Sequence, residues 1–252
     1  MKKFSFLTAI SLLLVLVLSA CGTKVTKEEV ISGAFRNTIN SFDTDMKTEF
    51  EMNANGQKVN QTVDIHMKYL DDPFMAQMKL STIDGDMELY IDKESAYMTM
   101  PGTTEWLKTS VSSVPEFEKL ANGDGIKEDL DKLKKFSDLF ELKEEKDGYL
   151  LSVELDSSST DKEKELVKDV LKESLQDESI ELNKVNKFIY YLKLDKNYYL
   201  KQVKADADLD LVMDGESGEI VIKVQADYKE INSVEAFSVP QEVKDSAVDM
   251  GM

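Results

Sequence analysis

Few residues in this chain are equipped for chemistry. Cys21 is the only cysteine and His66 the only histidine among 252 residues. A thiolate is a strong nucleophile, and Cys21 follows Leu18, Ser19 and Ala20, the last two small enough to let a protease approach the backbone. His66 shares the wet side of a predicted strand with Thr62, Asp64 and Lys68, so a solvated imidazole is expected there. With no second histidine and no free thiol, zinc sites and Ser-His or Cys-His nucleophilic pairs are excluded on this reading, and no metal is expected. Asp206, Asp208 and Asp210 fall on one face of a strand, spaced about 7 Å apart. A calcium loop needs converging oxygens and a glycine at its sixth position, where Leu211 stands, so these aspartates read as a solvated face. There is no glycine-rich phosphate loop, and no carboxylate pair stands out for glycoside chemistry. The residues point to no enzyme and no cofactor.

The N-terminus carries an address. Met1-Lys2-Lys3 is positive, and an apolar run from Phe4 to Leu18 follows it. That order describes a secretory signal peptide, and the run is shorter than the roughly 20 apolar residues of a membrane span. Leu18-Ser19-Ala20-Cys21 resembles the lipobox of bacterial lipoproteins. The resemblance implies cleavage before Cys21 and a diacylglyceryl group, of palmitate type, on its sulfur. Residues 1–20 are then a signal peptide and residues 21–28 a lipidated tether. Two or more acyl chains anchor stably where one does not, which implies residence on the extracytoplasmic face of the cell membrane. A lipidated Cys21 leaves no thiol for a disulfide, so the exported domain must be held by its core.

Charge narrows the partners further. With 49 acidic against 31 basic residues the chain carries −18. Nucleic acid requires a basic face, and anionic lipid headgroups attract basic clusters, so neither suits this chain. Arg36 is the only arginine, so bidentate arginine clamps on phosphate or carboxylate are not expected.

The elements that position these residues follow from periodicity. Val30, Ile31, Ala34, Phe35, Thr38 and Ile39 recur at helical spacing and predict a helix over 27–41. From Asp43 the period becomes two. Strands broken at Asn55-Gly56, Asp71-Asp72-Pro73, Asp84-Gly85 and Pro101-Gly102 predict an antiparallel meander. Pro115 opens a short helix, Ile126 to Phe140 carries a helical stripe, and a hairpin turns at Asp147-Gly148. A helix follows over 161–176, capped by Thr160 or Asp161, and three long strands come after it. No linker divides residues 29–252. The expected fold is a single α+β domain: one large curved antiparallel β-sheet, an incomplete barrel of about nine to eleven strands, with helices covering the concave face.

The inward positions of that sheet form the candidate lining: Phe50, Met52, Val63, Ile65, Met67, Phe74, Met78, Leu80, Met87, Leu89, Met98, Leu209, Leu211, Ile222 and Val224. Met46 and Met100 are expected to point the same way. Methionine suits surfaces that adapt to varied apolar ligands, and it equally fills an ordinary helix–sheet core. Tyr190, Tyr191, Tyr198 and Tyr199 likewise fit either a binding rim or cross-strand packing.

Several stretches together resemble exported lipoproteins of the LolA/LolB-like superfamily, with LppX and LprG types as relatives and a Gram-positive branch as the nearest match. They are Lys68-Tyr69-Leu70-Asp71-Asp72-Pro73-Phe74, Leu89-Tyr90-Ile91-Asp92, Tyr97-Met98, Trp106-Leu107-Lys108 and Phe237-Ser238-Val239-Pro240-Gln241-Glu242-Val243. The likeness is one of pattern across nearly the whole exported chain. It implies an incomplete barrel that holds acyl chains or lipidated molecules, with no catalytic residues. Two functions stay open on these grounds. One is a tethered protein binding an apolar or amphiphilic ligand. The other is a structural or interaction module whose core is solid and whose envelope partner is unknown.

Overall fold

The computed structural model describes residues 25–37, 39–54, 57–122, 134–135, 137–174, 180–213 and 215–251. One open sheet of twelve strands dominates it. The first meander is β1 (Ser41–Ala54), β2 (Gln57–Leu70), β3 (Met75–Thr82), β4 (Gly85–Asp92), β5 (Ser95–Thr99) and β6 (Trp106–Ser110). The second is β7 (Glu141–Glu145), β8 (Gly148–Leu155), β9 (Ile180–Asp195), β10 (Leu200–Met213) and β11 (Glu216–Lys229). A two-residue β12 (Val248–Asp249) completes the order β12-β6-β5-β4-β3-β2-β1-β11-β10-β9-β8-β7. The outermost strands do not pair with each other, so this is the expected α+β incomplete barrel, with one strand more than the upper expectation. The extra one is β12, which pairs parallel with β6 through Val248–Leu107 and Asp249–Lys108. Two residues are too short a run to show periodicity.

The long strands set one register across both meanders. Met46 faces Ala226 on one side and Ile65 on the other, and Ile65 faces Leu80. Directly opposed residues in antiparallel strands share a face, so the apolar residues line up on one side and the charged residues on the other.

Three of the described helices pack on the apolar side. The first, α1 (Lys27–Arg36), begins where Thr26 Oγ1 accepts from the Glu29 amide at 3.2 Å. It ends five residues before the predicted boundary. Tertiary hydrogen bonds take over there: Asn37 Nδ2 donates to Asn197 O at 2.8 Å, and the Asn40 amide to Asn232 Oδ1 at 2.7 Å. The second, α2 (Pro115–Ala121), has proline in its first turn, which costs no hydrogen bond there. The third, α3 (Asp161–Ser174), is started by Thr160 and Glu163 in a reciprocal box, with bonds of 2.9 and 3.3 Å. The stripe from Ile126 to Leu133, and Phe136 with it, lies outside the described residues.

The last helix, α4 (Gln241–Ser246), departs from expectation. Its Val243, with Val239, packs on Leu70, Met75, Tyr90 and Tyr97, which belong to the opposite, polar side of the sheet. That side is therefore not wet throughout. Phe237 and Trp106 widen this small core, and Trp106 meets Tyr90 at 5.7 Å between ring centres.

Candidate ligand surface

The apolar face is packed in one half and half-open in the other. In β8 to β10 the inward residues Leu151, Val153, Leu155, Leu182, Val185, Phe188, Leu192, Leu194, Ala207, Leu209 and Leu211 are all buried. They form one cluster with Val30 and Ile31 of α1 and Val167 and Val170 of α3. Gly33 lets α1 come this close, since a Cβ there would lie 2.5 Å from the Tyr198 ring. Tyr198 also stacks on Tyr149 at 5.3 Å. Tyr190 stacks on Phe188 and Tyr191 donates to Glu154 Oε1 at 2.6 Å, so three of the four clustered tyrosines are engaged within the sheet or between the sheet and α1.

The first meander is different. A second cluster surrounds Phe42, Tyr69, Phe74, Ala76, Ile91, Ala96 and Val111 at the end where β1 starts, with Phe117, Leu120 and Ala121 of α2 packed on it. Burial of the Tyr69 hydroxyl, with Asp71 beside it, pushes the phenol up to about 12. Beyond that cluster the apolar row continues at half burial.

Of the fifteen predicted lining residues, Phe74, Leu209 and Leu211 are fully buried in packed clusters. The other twelve are half-buried: Phe50, Met52, Val63, Ile65, Met67, Met78, Leu80, Met87, Leu89, Met98, Ile222 and Val224. Met67 and Leu89 touch the edge of the second cluster, whereas the remaining ten join none of the three clusters formed by the described residues. Cross-strand pairing makes them a continuous field, with Met67–Met78–Leu89–Met98 as one row and Ile65–Leu80–Met87 as the next. Met100 is a correction. It lies past the end of β5 and is exposed, not inward, because the chain turns at Pro101-Gly102. Leu18, Ser19, Ala20 and Cys21 lie outside the described residues. Among the described residues no helix is long and apolar enough to cross a membrane.

The polar face has its own order. Asp206 pairs with Lys187 at 2.5 Å, and Asn186 Nδ2 donates to Asp208 and Asp210 at 3.2 and 2.8 Å. These aspartates thus have partners on the neighbouring strand. Two clefts of the described residues open mainly on this face. The first, about 430 Å³, is bordered by Asp45, Lys47, Asp64, His66, Lys79 and Asp227. The second, about 390 Å³, is bordered by Lys79, Glu88, Thr99 and Trp106.

At the first cleft His66 Nδ1 stands 2.8 Å from Asp45 Oδ1 and 3.7 Å from Asp43 Oδ1. Asp45 is held below the usual carboxylate range by its bond from Lys229, then by His66. The sequence reading set His66 on the polar side without its two aspartates. The signal was available: a turn at Asn55-Gly56 makes partners of residues equidistant from it, and the observed register pairs Asp45 with His66.

A family model described as a family of unknown function, DUF6612, matches residues 26–248. The chain belongs to this family. No curated protein matches it. Among solved structures, the family member is similar to the lipoprotein LppX of Mycobacterium tuberculosis. That match has a TM-score of 0.41 and 9% identity, and covers 84% of this chain and 96% of the other. A LolA superfamily protein of Nitrosomonas europaea matches with a TM-score of 0.23 and 10% identity, covering 87% and 97%. A DUF1329 family protein of Desulfovibrio piger gives 0.28 and 11%, covering 82% and 94%. With TM-scores below 0.5 these likenesses carry no functional argument.

Proposed function

We propose that this protein is a membrane-anchored, extracytoplasmic binding protein for an apolar or amphiphilic, lipid-like ligand. The ligand would lie on the methionine-rich field of the first meander and β11, and a lipid on Cys21 would hold the domain at the membrane. One observation carries this reading. Ten inward apolar residues are half-buried and join none of the packed clusters formed by the described residues. Contiguous apolar patches of more than a few hundred Å² mark interaction sites. Burial at about 25 cal/mol per Å² would let an acyl chain bind without a strong polar anchor. Methionine side chains rearrange readily around varied chains. The arrangement has no need of a nucleophile or a catalytic acid–base pair.

Native mass spectrometry of the gently purified protein tests the proposal. A co-purifying lipid mass is expected from the wild type. Met78→Asp and Leu89→Asp, each folded by circular dichroism, should lose it. Unchanged uptake by both folded variants would overturn the proposal. A second reading, an envelope interaction module, draws on the solid second meander and the clefts of the polar face. It predicts a clean apo mass from the wild type.

A further inference from the structure

The polar face holds a group of residues that lipid binding does not use. Asp43 Oδ1, Asp45 Oδ1 and His66 Nδ1 lie within 4.8 Å of one another. The residue Asp43 is only 8% exposed, and its Oδ1 is buried without a hydrogen-bond partner. A buried carboxylate oxygen with no hydrogen bond is costly, and a bound ion is one way to satisfy it. We propose that Asp43, Asp45 and His66 bind a divalent transition-metal ion, of the zinc or manganese kind, at the end of the 430 Å³ cleft.

The geometry suits such an ion. Ligand atoms about 2.0–2.2 Å from one metal stand roughly 3–4 Å from each other. The separations from His66 Nδ1, 2.8 and 3.7 Å, are close to that range. The outer oxygens are already occupied. Lys229 Nζ donates to Asp45 Oδ2, and Lys68 Nζ lies 3.7 Å from Asp43 Oδ2. Both Oδ1 atoms are thereby turned toward the imidazole, as outer-shell partners of metal-binding carboxylates commonly arrange. One imidazole with two carboxylates suits zinc, manganese or ferrous ions better than calcium or magnesium, which prefer all-oxygen sets. The ion takes the place of a proton on Nδ1, with the remaining ring proton on Nε2, so binding releases a proton to solvent when the ring starts charged. The sequence expectation of no metal counted histidines and thiols. Two aspartates, one opposite His66 and one diagonal to it, supply what that count left out.

The single histidine makes the test direct. The full-length chain in detergent micelles gives one imidazole NMR signal. One equivalent of Mn²⁺ should broaden it, while the same concentration of Ca²⁺ should leave it sharp. Calorimetry with Zn²⁺ should report one site with Kd at or below about 10 μM. Asp43→Asn, Asp45→Asn and His66→Asn should each weaken it at least about tenfold, and Asp206→Asn should not. If Asp43→Asn fails to fold, Asp45→Asn and His66→Asn carry the same test. An imidazole signal unmoved by Mn²⁺, or Zn²⁺ binding undiminished in folded Asp45→Asn and His66→Asn, would overturn the proposal.

Discussion

The two meanders of this sheet use the same alternation and reach different ends. In β8 to β10 the inward residues are mostly Leu, Val, Phe and Ala, and α1 and α3 close over them until most are buried. In β2 to β5 the corresponding positions are mostly Met, Ile and Leu, and beyond the cluster under α2 they stay half-buried. Periodicity chose the face in both halves. Among the described residues, what separates them is how much helix packs on the strands, and the side-chain types match: branched residues with few rotamers where packing is tight, flexible thioethers where it is looser.

That contrast can be broken by mutation. Leu151, 1% exposed at the centre of the packed half, should cost about 3–4 kcal/mol when replaced by alanine, read from urea unfolding. A loss below about 1 kcal/mol would mean that the packed half is not packed.

Alkaline pH tests the cluster under α2. Unfolded chains ionise tyrosine near pH 10, whereas Tyr69 in the fold keeps its proton to about 12. The stability this contributes is whole below pH 10 and falls as pH rises through 12, by up to about 2–3 kcal/mol. Tyr69→Phe should flatten that part of the stability–pH curve relative to the wild type. Parallel curves would show that Tyr69 is not the group responsible.

Gly33→Ala probes the seat of α1. The new methyl meets the Tyr198 ring, and either the ring or the helix must move. An expected cost of about 1–2 kcal/mol would show in thermal unfolding, together with a changed tyrosine near-ultraviolet signal. The smallest effect belongs to the open half. Met98→Ala should cost about 1 kcal/mol, clearly less than Leu151→Ala, because Met98 keeps part of its surface in water and joins no packed cluster of the described residues. A cost equal to that of Leu151→Ala would mean that the field is part of the core, and the ligand proposal would lose its footing.

The fold was largely legible because strands this long repeat their pattern many times over, as Met46 to Met52 and Val203 to Met213 do. The helix starting at Lys27 was legible, but its end was not. Asn37 and Asn40 are drawn out of it by Asn197 and Asn232, partners about 160 and 190 residues away. The placement of α4 was hidden for a related reason. Tyr90 and Tyr97 lie on the side that alternation marks as wet, and only the returning C-terminal segment covers them. The lining was readable as a face but not as a degree of burial, since Leu209 and Met78 obey one pattern and meet different neighbours. The Asp43–Asp45–His66 group needed register in addition to pattern, which demands reading the hairpin as a pair of strands.

An unclosed sheet has two rims, and each invites another chain to add a strand. One rim here is β7, five residues carrying Glu141, Lys143, Glu144 and Glu145, a poor template for a stranger. The other would be β6, but β12 lies along it and the Met250 amide reaches Lys108 O at 2.9 Å. The last turn of chain thus works as a selvedge. It finishes the fabric, leaving little of the β6 border free for another chain to join.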